Sequence, residues 1–163
     1  MKVRDAMTVG VVTAHKEDTV RSVVEKMIIR HCGSVPVINE DGDLVGVVAI
    51  RDVMLPLYPD TGDYIYDNVH AQYYDDMEDE FPKVLDKTVG EVMTAKPLTV
   101  SPEDAVLKAA SFMGIKNLRR IPVTDGKKLV GIISIGDINR ALFMAHINKL
   151  WAPTDLKIAA GMS

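Results

Sequence analysis

One strand-to-helix junction occurs twice in this chain. Leu129–Asp137 reads LVGIISIGD, and Leu44–Asp52 reads LVGVVAIRD. Each copy is an apolar run that contains a glycine and ends in an aspartate. Because a repeated unit constrains the architecture before any single element is assigned, the chain is predicted to consist of two related halves. The copies differ at one informative place, where the hydroxyl group of Ser134 corresponds to the methyl group of Ala49.

The repetition extends well beyond this junction. Met93-Thr94 matches Met7-Thr8, and Thr99 matches Thr13, at a constant offset of 86 residues. The offset falls to 85 at the junction because the preceding turn is one residue shorter in the second copy. Surface turns tolerate such length changes best, so the pattern indicates a duplicated folding unit.

Each copy predicts the order strand, helix, strand, strand, helix. Asp18 and Ser101 are predicted to cap the first helix of each copy at its N-terminus. Apolar residues then recur at the spacing of one helix face. These faces consist of Val20, Val23, Val24 and Met27 in the first copy, and Val106, Ala109, Ala110 and Met113 in the second. The predicted fold class is mixed α/β, of the α+β kind.

Composition is that of a globular protein, with 47% apolar and 26% charged residues. No apolar run reaches the roughly 20 residues of a membrane helix, and the first residues lack the apolar core of a secretory signal. Cys32 is the single cysteine, so no internal disulfide can form. These features predict a cytoplasmic protein without membrane insertion.

The stretch 54–88 has no counterpart in the other copy. It contains all five tyrosines and the acidic run Asp75–Glu80, and aromatic surface of this kind usually covers something. Residues 59–91 hold ten acidic residues and two lysines, which leaves a net charge of only +4 elsewhere and argues against a nucleic-acid partner. The predicted division is repeat 1 at 1–55, a Tyr-rich acidic insert at 56–85, repeat 2 at 86–150 and a tail at 151–163.

The ordered set of motifs resembles a tandem pair of CBS domains, also called a Bateman module. The first copy carries Ala6-Met7-Thr8, Ser34–Val37 and Gly46–Asp52. The second carries Val92-Met93-Thr94, Arg119–Val123 and Gly131–Asp137. No single motif is specific, but the same ordered set twice in one chain is.

The resemblance implies a pseudo-twofold pair of repeats with two small sheets packed back to back, and a homodimer of such pairs. It implies a regulatory, energy-sensing module that binds AMP, ADP or ATP between its repeats and signals to an unidentified partner by conformational change. Two alternatives stay open. One is a sensor of S-adenosylmethionine or NAD, and the other is a ligand-free interaction module that docks a partner through its Tyr-rich insert.

The resemblance also assigns site residues, and their chemistry is consistent with a nucleotide. Asp137 would hold the ribose diol, Ser134 would donate to a ribose or phosphate oxygen, and Arg119 and Arg120 would face the phosphate. Residues assigned to the adenine are Val12, Thr13, Cys32, Gly33 and Ser34. A weaker twin site would use Asp52, Leu98, Thr99 and Leu118 with Arg119. It is weaker because Ala49 lacks the hydroxyl and Gly33-Ser34 stands where Arg119-Arg120 stands in the other copy.

Each assignment has a structural alternative. Asp137 and Asp52 are favoured helix caps, and Arg119 and Arg120 point opposite ways if the chain there is extended. Cys32 is typical of a small buried apolar residue at a helix end. Neither a phosphate loop, nor a catalytic triad, nor metal-ligand spacing occurs, so the sequence predicts no enzyme, no metal and no required cofactor.

Overall fold

The computed structural model describes residues 1–58 and 77–150, with the side chains of 148–150 excepted. The tail at 151–163 and most of the Tyr-rich insert therefore lie outside the described residues. The helices are α1 (Val20–Arg30), α2 (Ile50–Met54), α3 (Phe81–Leu85), α4 (Val89–Val92), α5 (Val106–Lys116) and α6 (Ile135–Leu150). The strands are β1 (Ser34–Ile38), β2 (Leu44–Ala49), β3 (Thr94–Ala95), β4 (Arg120–Asp125) and β5 (Lys128–Ser134). None of the described helices is long and apolar enough to cross a membrane.

Two small sheets carry the strands, which confirms the predicted mixed fold class. One sheet has the order β1-β2-β3, with β2 antiparallel to both neighbours, and the other consists of β4 and β5. The first strand predicted for each repeat is reduced to a single parallel bridge, Ala14 with Val37 and Val100 with Val123.

The chain divides into two compact units. We call Val11–Pro97 with Lys127–Leu129 the Asp52 unit, and Met1–Gly10 with Leu98–Gly126 and Val130–Ser163 the Asp137 unit. These units are a different division of the chain from the sequence repeats, because the first residues of each repeat pack in the unit of the other. Val3 of repeat 1 is fully buried in the core of the Asp137 unit, and its counterpart Val89 is fully buried in the core of the Asp52 unit.

The helix faces predicted from the sequence form these cores. In α1 the buried residues are Val20, Val23 and Met27, and in α5 they are Val106, Ala109 and Met113. Valine and isoleucine from the strands complete each core, so the two units bury equivalent positions of the repeat.

Two glycines allow the exchanged segments to pack closely. A Cβ at Gly131 would lie 2.6 Å from the carbonyl oxygen of Thr8, and one at Gly46 would lie 2.5 Å from Sδ of Met93. Real Cβ atoms do not approach other atoms so closely, so only glycine fits without a shift. The Met-Thr motif and the glycine of the strand motif are therefore structural partners within each unit.

The predicted N-caps were wrong, by one residue for α1 and by four residues for α5. Helix α1 is capped by Thr19, whose hydroxyl accepts the Ser22 N–H, and α5 begins after Ala105. Asp18 instead accepts the N–H of His15 at 3.0 Å, and Ser101 closes a turn with Asp104. Both side chains accept a backbone N–H of the loop that precedes the helix. The sequence pattern of such a turn resembles that of a helix cap.

Candidate functional site

The start of α6 is built around Ser134 and Asp137. The carboxylate oxygen Oδ2 of Asp137 accepts the Ser134 N–H at 2.9 Å and the Ser134 hydroxyl at 2.6 Å. The Asp137 N–H donates to the Ser134 hydroxyl oxygen at 3.1 Å. This reciprocal arrangement is a capping box, and it satisfies donors that the first turn of a helix otherwise leaves unpaired.

The twin junction at the start of α2 has a simpler cap. Oδ2 of Asp52 accepts the Ala49 N–H at 2.7 Å, and the Ala49 methyl group adds no hydrogen bond. Both aspartates thus cap their helices, as the structural alternative proposes, although each is the third helical residue and not the N-cap. Among the described residues nothing donates to Oδ1 of either side chain, so each carboxylate keeps one oxygen that can accept from a ligand.

Arg119 lies beside the first turn of α6. Its carbonyl oxygen accepts the Ile135 N–H at 3.1 Å, so the structure brings Arg119, Ser134 and Asp137 together. Arg120 is the first residue of β4, and both arginine side chains are exposed. Within residues 1–58 and 77–150 neither forms an ion pair. The first turn of α6 is therefore a positive helix end with Arg119 beside it and Arg120 next along the chain, and neither arginine is ion-paired among the described residues.

In the Asp52 unit a glycine takes the place of this arginine. The Gly33 carbonyl accepts the Ile50 N–H at 3.0 Å, which is the bond equivalent to that between Ile135 and Arg119. The arginine side chain that supplies positive charge at the Asp137 junction is thus missing at the Asp52 junction. Arg51, at the second position of α2, is exposed and keeps some positive charge nearby.

The residues assigned to the adenine all lie in the Asp52 unit. They are half-buried, and Val12 and Cys32 pack against its core. The residues assigned to the twin site divide between the units, with Asp52 in one and Leu98, Thr99 and Leu118 in the other. Leu98 and Leu118 pack against the core of the Asp137 unit.

Lys26 is a charged residue near this set that sequence reasoning missed. Its ammonium group donates to the carbonyl oxygen of Thr13 at 2.9 Å and lies 3.7 Å from the Asp18 carboxylate. The counterpart of Lys26 in the second repeat is Phe112, which packs partly against the core of its unit. Comparison of the two repeats could have identified Lys26, because a charged residue in one copy stands where the other copy has an aromatic residue.

Two isoleucines were also missed. Ile50 and Ile135 are the first residues of α2 and α6, and they are 52% and 47% exposed. An apolar side chain is thus presented to solvent beside each capping aspartate. The same residue at equivalent positions of both copies was visible in the sequence, but an isoleucine after an apolar strand is easily mistaken for core.

The described residues contain no group of three or more His, Cys, Asp or Glu side chains that could hold a metal ion. Among the described residues of the Asp137 unit, the ionic contacts involve none of Arg119, Arg120, Ser134 and Asp137. They join Glu103 to Lys2 and Arg4, and Asp104 to Lys108.

Comparison with known proteins gives one consistent family. The family model described as CBS domain matches residues 3–57 and 89–144. The uncharacterized protein YlbB of Bacillus subtilis is 32% identical over 139 residues, covering 85% of this chain and 80% of YlbB. The chloroplastic CBS domain-containing protein CBSX1 of Arabidopsis thaliana is 35% identical over 150 residues, covering 82% of this chain and 63% of CBSX1.

A solved structure of CBSX2 in complex with AMP has a TM-score of 0.69 to this chain at 28% identity, and covers 89% of this chain and 98% of that one. The similar proteins include a chloroplastic and a mitochondrial one. Similarity to these proteins therefore does not identify the compartment of this chain, and its cytoplasmic location stays a prediction.

Proposed function

The chain belongs to the family of CBS-domain proteins, as a tandem pair, and from that premise we propose that it is a regulatory module for an adenosine-containing ligand. The proposed ligands are AMP, ADP and ATP. One observation carries the proposal: the first turn of α6 holds the Asp137 carboxylate, whose Oδ1 has no donor among the described residues, and Arg119 lies beside it. Neither Arg119 nor the adjacent Arg120 has an ionic partner among those residues. The AMP complex of CBSX2, at 28% identity, supports the ligand class.

Each end of such a ligand has a chemical counterpart at this junction. A ribose diol offers two hydroxyl donors, and a carboxylate oxygen accepts such donors well because the bond is charge-assisted. A phosphate is favoured by the N-terminus of a helix of 16 residues and by guanidinium forks. We therefore assign the ribose to Asp137 and the phosphate to Arg119 and Arg120.

The Asp52 junction is proposed to be the weaker and less anion-selective of the two. It has the carboxylate, but Gly33 and Ser34 replace the paired arginines, and Ala49 replaces the serine. A neutral nucleoside needs no phosphate partner, so adenosine remains a candidate there. The proposal for Leu98, Thr99 and Leu118 at this second site rests on the family resemblance, as does the proposal for the residues assigned to the adenine.

Signalling would follow from differential binding. A ligand shifts a conformational equilibrium only by as much as it favours one state. We propose that adenine nucleotide favours one conformation of the module, which an unidentified regulated protein then recognises. The module itself would carry out no chemical step.

Exposed apolar side chains support a second copy of the chain as a partner. Within the Asp137 unit, α5 packs on α6, and these helices expose Leu107, Ile115 and Phe143 by 59%, 77% and 59%. Large exposed apolar patches are unusual on monomers. Light scattering of the wild type and of Ile115→Lys tests the homodimer, which predicts twice the chain mass for the wild type and one chain mass for the variant.

Titration calorimetry with AMP, ADP, ATP, S-adenosylmethionine and NADH tests the ligand class. Saturable binding of at least one of the first three is expected. Binding of S-adenosylmethionine or NADH alone would move the module to another ligand class. No binding of any of the five would overturn the proposal and leave an interaction module.

A further inference from the structure

Two surface turns, one from each repeat, pair with each other inside the Asp52 unit. The Leu44 N–H donates to the Lys127 carbonyl oxygen at 2.9 Å. The Leu129 N–H donates to the Gly42 carbonyl oxygen at 3.2 Å. The two donors are counterparts of each other at the repeat offset of 85 residues, and so are the two acceptors. The repeats therefore meet here through equivalent backbone groups.

Asp43 and Lys128 face each other between these two hydrogen bonds. They form an antiparallel bridge, and they too are counterparts at the offset of 85 residues. Because the bonds lie on either side of the bridge, this is a non-hydrogen-bonded pair, the kind in which opposite side chains lie closest together. A contact of this symmetry sets the residue at this position opposite its own counterpart, whichever two repeats form it.

The two residues at this position carry opposite charges. Nζ of Lys128 lies 2.9 Å from Oδ1 of Asp43, and it also donates to the Asp41 carbonyl oxygen. The hydrogen bond from Lys128 lowers the pKa of Asp43 below its ordinary value of 3.8, so this carboxylate is charged at neutral pH. The turns of the two repeats are thus joined by matching backbone groups and by one pair of opposite charges.

We infer that Asp43 and Lys128 select which repeats pair, so that repeat 1 pairs with repeat 2 and not with a second copy of itself. Two first repeats would place Asp43 opposite Asp43, and two second repeats would place Lys128 opposite Lys128. Like charges directly opposite each other on neighbouring strands are destabilising, whereas opposite charges are stabilising. The two cores bury equivalent apolar positions, so the charge pair supplies a distinction that hydrophobic burial alone does not.

Charge reversal reproduces each like-charged pair within the intact chain. Asp43→Lys creates the pair that two second repeats would form, and Lys128→Asp creates the pair that two first repeats would form. At low salt each change should raise the equilibrium constant of unfolding, measured by urea denaturation, by about three- to tenfold. The double variant, Asp43→Lys with Lys128→Asp, has opposite charges in exchanged places and should recover most of this loss.

Matched controls separate the charge pair from other effects. Asp43→Asn removes the attraction without adding repulsion, so its loss should be smaller than that of Asp43→Lys. Glu40→Lys makes the same change of charge in the same turn, at an exposed side chain without an ion pair among the described residues, and should change the equilibrium constant by about twofold at most. Salt at about 1 M should reduce the losses of both charge reversals, because it screens charges at the surface.

The losses measured in these variants decide the inference. If the losses of the two charge reversals simply add in the double variant, the two side chains do not act on each other, and the inference is overturned. Stability unchanged by either reversal at low salt would overturn it too. Losses that persist undiminished at about 1 M salt would show an effect of packing and not of charge, with the same consequence.

A disulfide checks that the two positions face each other. Cα atoms of a non-hydrogen-bonded pair are about 4.5 Å apart, which lies within the range that a disulfide spans. Asp43→Cys with Lys128→Cys, in a chain that also carries Cys32→Ser, should therefore form a bond between positions 43 and 128 on oxidation, identified by mass spectrometry of the digested protein. Oxidation that leaves both thiols free would show that the counterparts do not meet and would overturn the inference.

Discussion

The hydroxyl oxygen of Ser134 lies 2.6 Å from Oδ2 of Asp137 and accepts the Asp137 N–H at 3.1 Å, so the two residues hold each other in place. This pair ends β5 and begins α6, and it leaves Oδ1 of the carboxylate available. The same aspartate can therefore cap the helix and hold a ligand. A loss of function at Asp137 must accordingly be separated from a loss of stability.

Asp137→Ala and Asp52→Ala make this separation. Each change removes a helix cap, so each should lower the free energy of unfolding by about 1 kcal/mol. Only Asp137→Ala should also weaken AMP binding at the stronger site, by about 10- to 100-fold, because hydrogen bonds to a charged group are lost. Calorimetry and chemical denaturation of both variants check this. Equal AMP affinity in the two variants would leave Asp137 as a cap.

Gly131→Ala should destabilise the protein more than Gly46→Ala. The new Cβ at position 131 would meet the Thr8 carbonyl oxygen at 2.6 Å, and backbone cannot move aside easily. At position 46 the nearest atom is Sδ of Met93, the flexible end of a side chain, at 2.5 Å. We expect a loss of about 1–3 kcal/mol for Gly131→Ala, in the range of overpacked cores, measured by urea denaturation. A smaller loss than for Gly46→Ala would contradict the close packing of Gly131 on Thr8.

Gly114→Ala is the control for these two changes. Gly114 lies within α5 and has no heavy atom within 4 Å of where a Cβ would sit. Alanine there should stabilise the protein by about 0.5–1 kcal/mol, because glycine is unfavourable inside a helix. Destabilisation by Gly114→Ala would mean that Gly114 itself is covered in the proposed homodimer.

Lys96→Gly should stabilise the protein. Lys96 has a φ of 49°, in the left-handed region, and its counterpart in the first repeat is Gly10, with a φ of 66°. A non-glycine residue pays about 1–2 kcal/mol for this conformation, so part of that amount should be recovered as a higher melting temperature. Lys96→Ala removes the same charge and keeps the Cβ, so it should give no such gain. Equal melting temperatures for the two variants would rule out relief of backbone strain.

The docking of the first residues should depend on pH through Glu103. Its hydrogen bond with Lys2, together with the charge of Arg4, lowers the pKa of Glu103 below the ordinary value of 4.5. A lowered pKa in the folded state means that the contribution to stability is present above pH 4.5 and is lost as the pH falls through the folded value. The melting temperature of the wild type should therefore exceed that of Glu103→Gln above pH 4.5. This difference should disappear as the pH falls through the pKa of Glu103 in the folded protein.

High salt provides the check on this pH effect. Lys2, Arg4 and Glu103 are all about half exposed, so salt should screen their charges. Salt at about 1 M should therefore reduce the difference in melting temperature between the wild type and Glu103→Gln. Asp104 titrates in both proteins and cancels in the comparison. If the difference in melting temperature between the two proteins stays constant from about pH 3 to pH 6 at every salt concentration, the Glu103 ion pairs do not contribute to stability.

Much of the fold could be predicted because the spacing of apolar residues along the chain indicates each helix, and because the same spacing occurs in both repeats. The spacing of Val20, Val23 and Met27, and of Val106, Ala109 and Met113, identifies the buried helix faces without reference to the rest of the chain. The capping positions were harder, since Asp18 and Ser101 bond within turns that precede the helices. Turn and cap use the same side chains, and only the backbone geometry distinguishes them.

By itself the sequence determined the repeat, the mixed fold class, the buried faces and the chemical asymmetry between the junctions of Ser134 and Ala49. It could not determine with which half the first residues of each repeat would pack. Val3 and Val89 occupy equivalent positions, so each is chemically suited to either core, and only tertiary structure assigns Val3 to the Asp137 unit. The partner of the Ser134 hydroxyl was likewise visible only in the tertiary structure, where this hydroxyl lies 2.6 Å from Oδ2 of Asp137, because the sequence spacing alone does not fix the geometry of the junction.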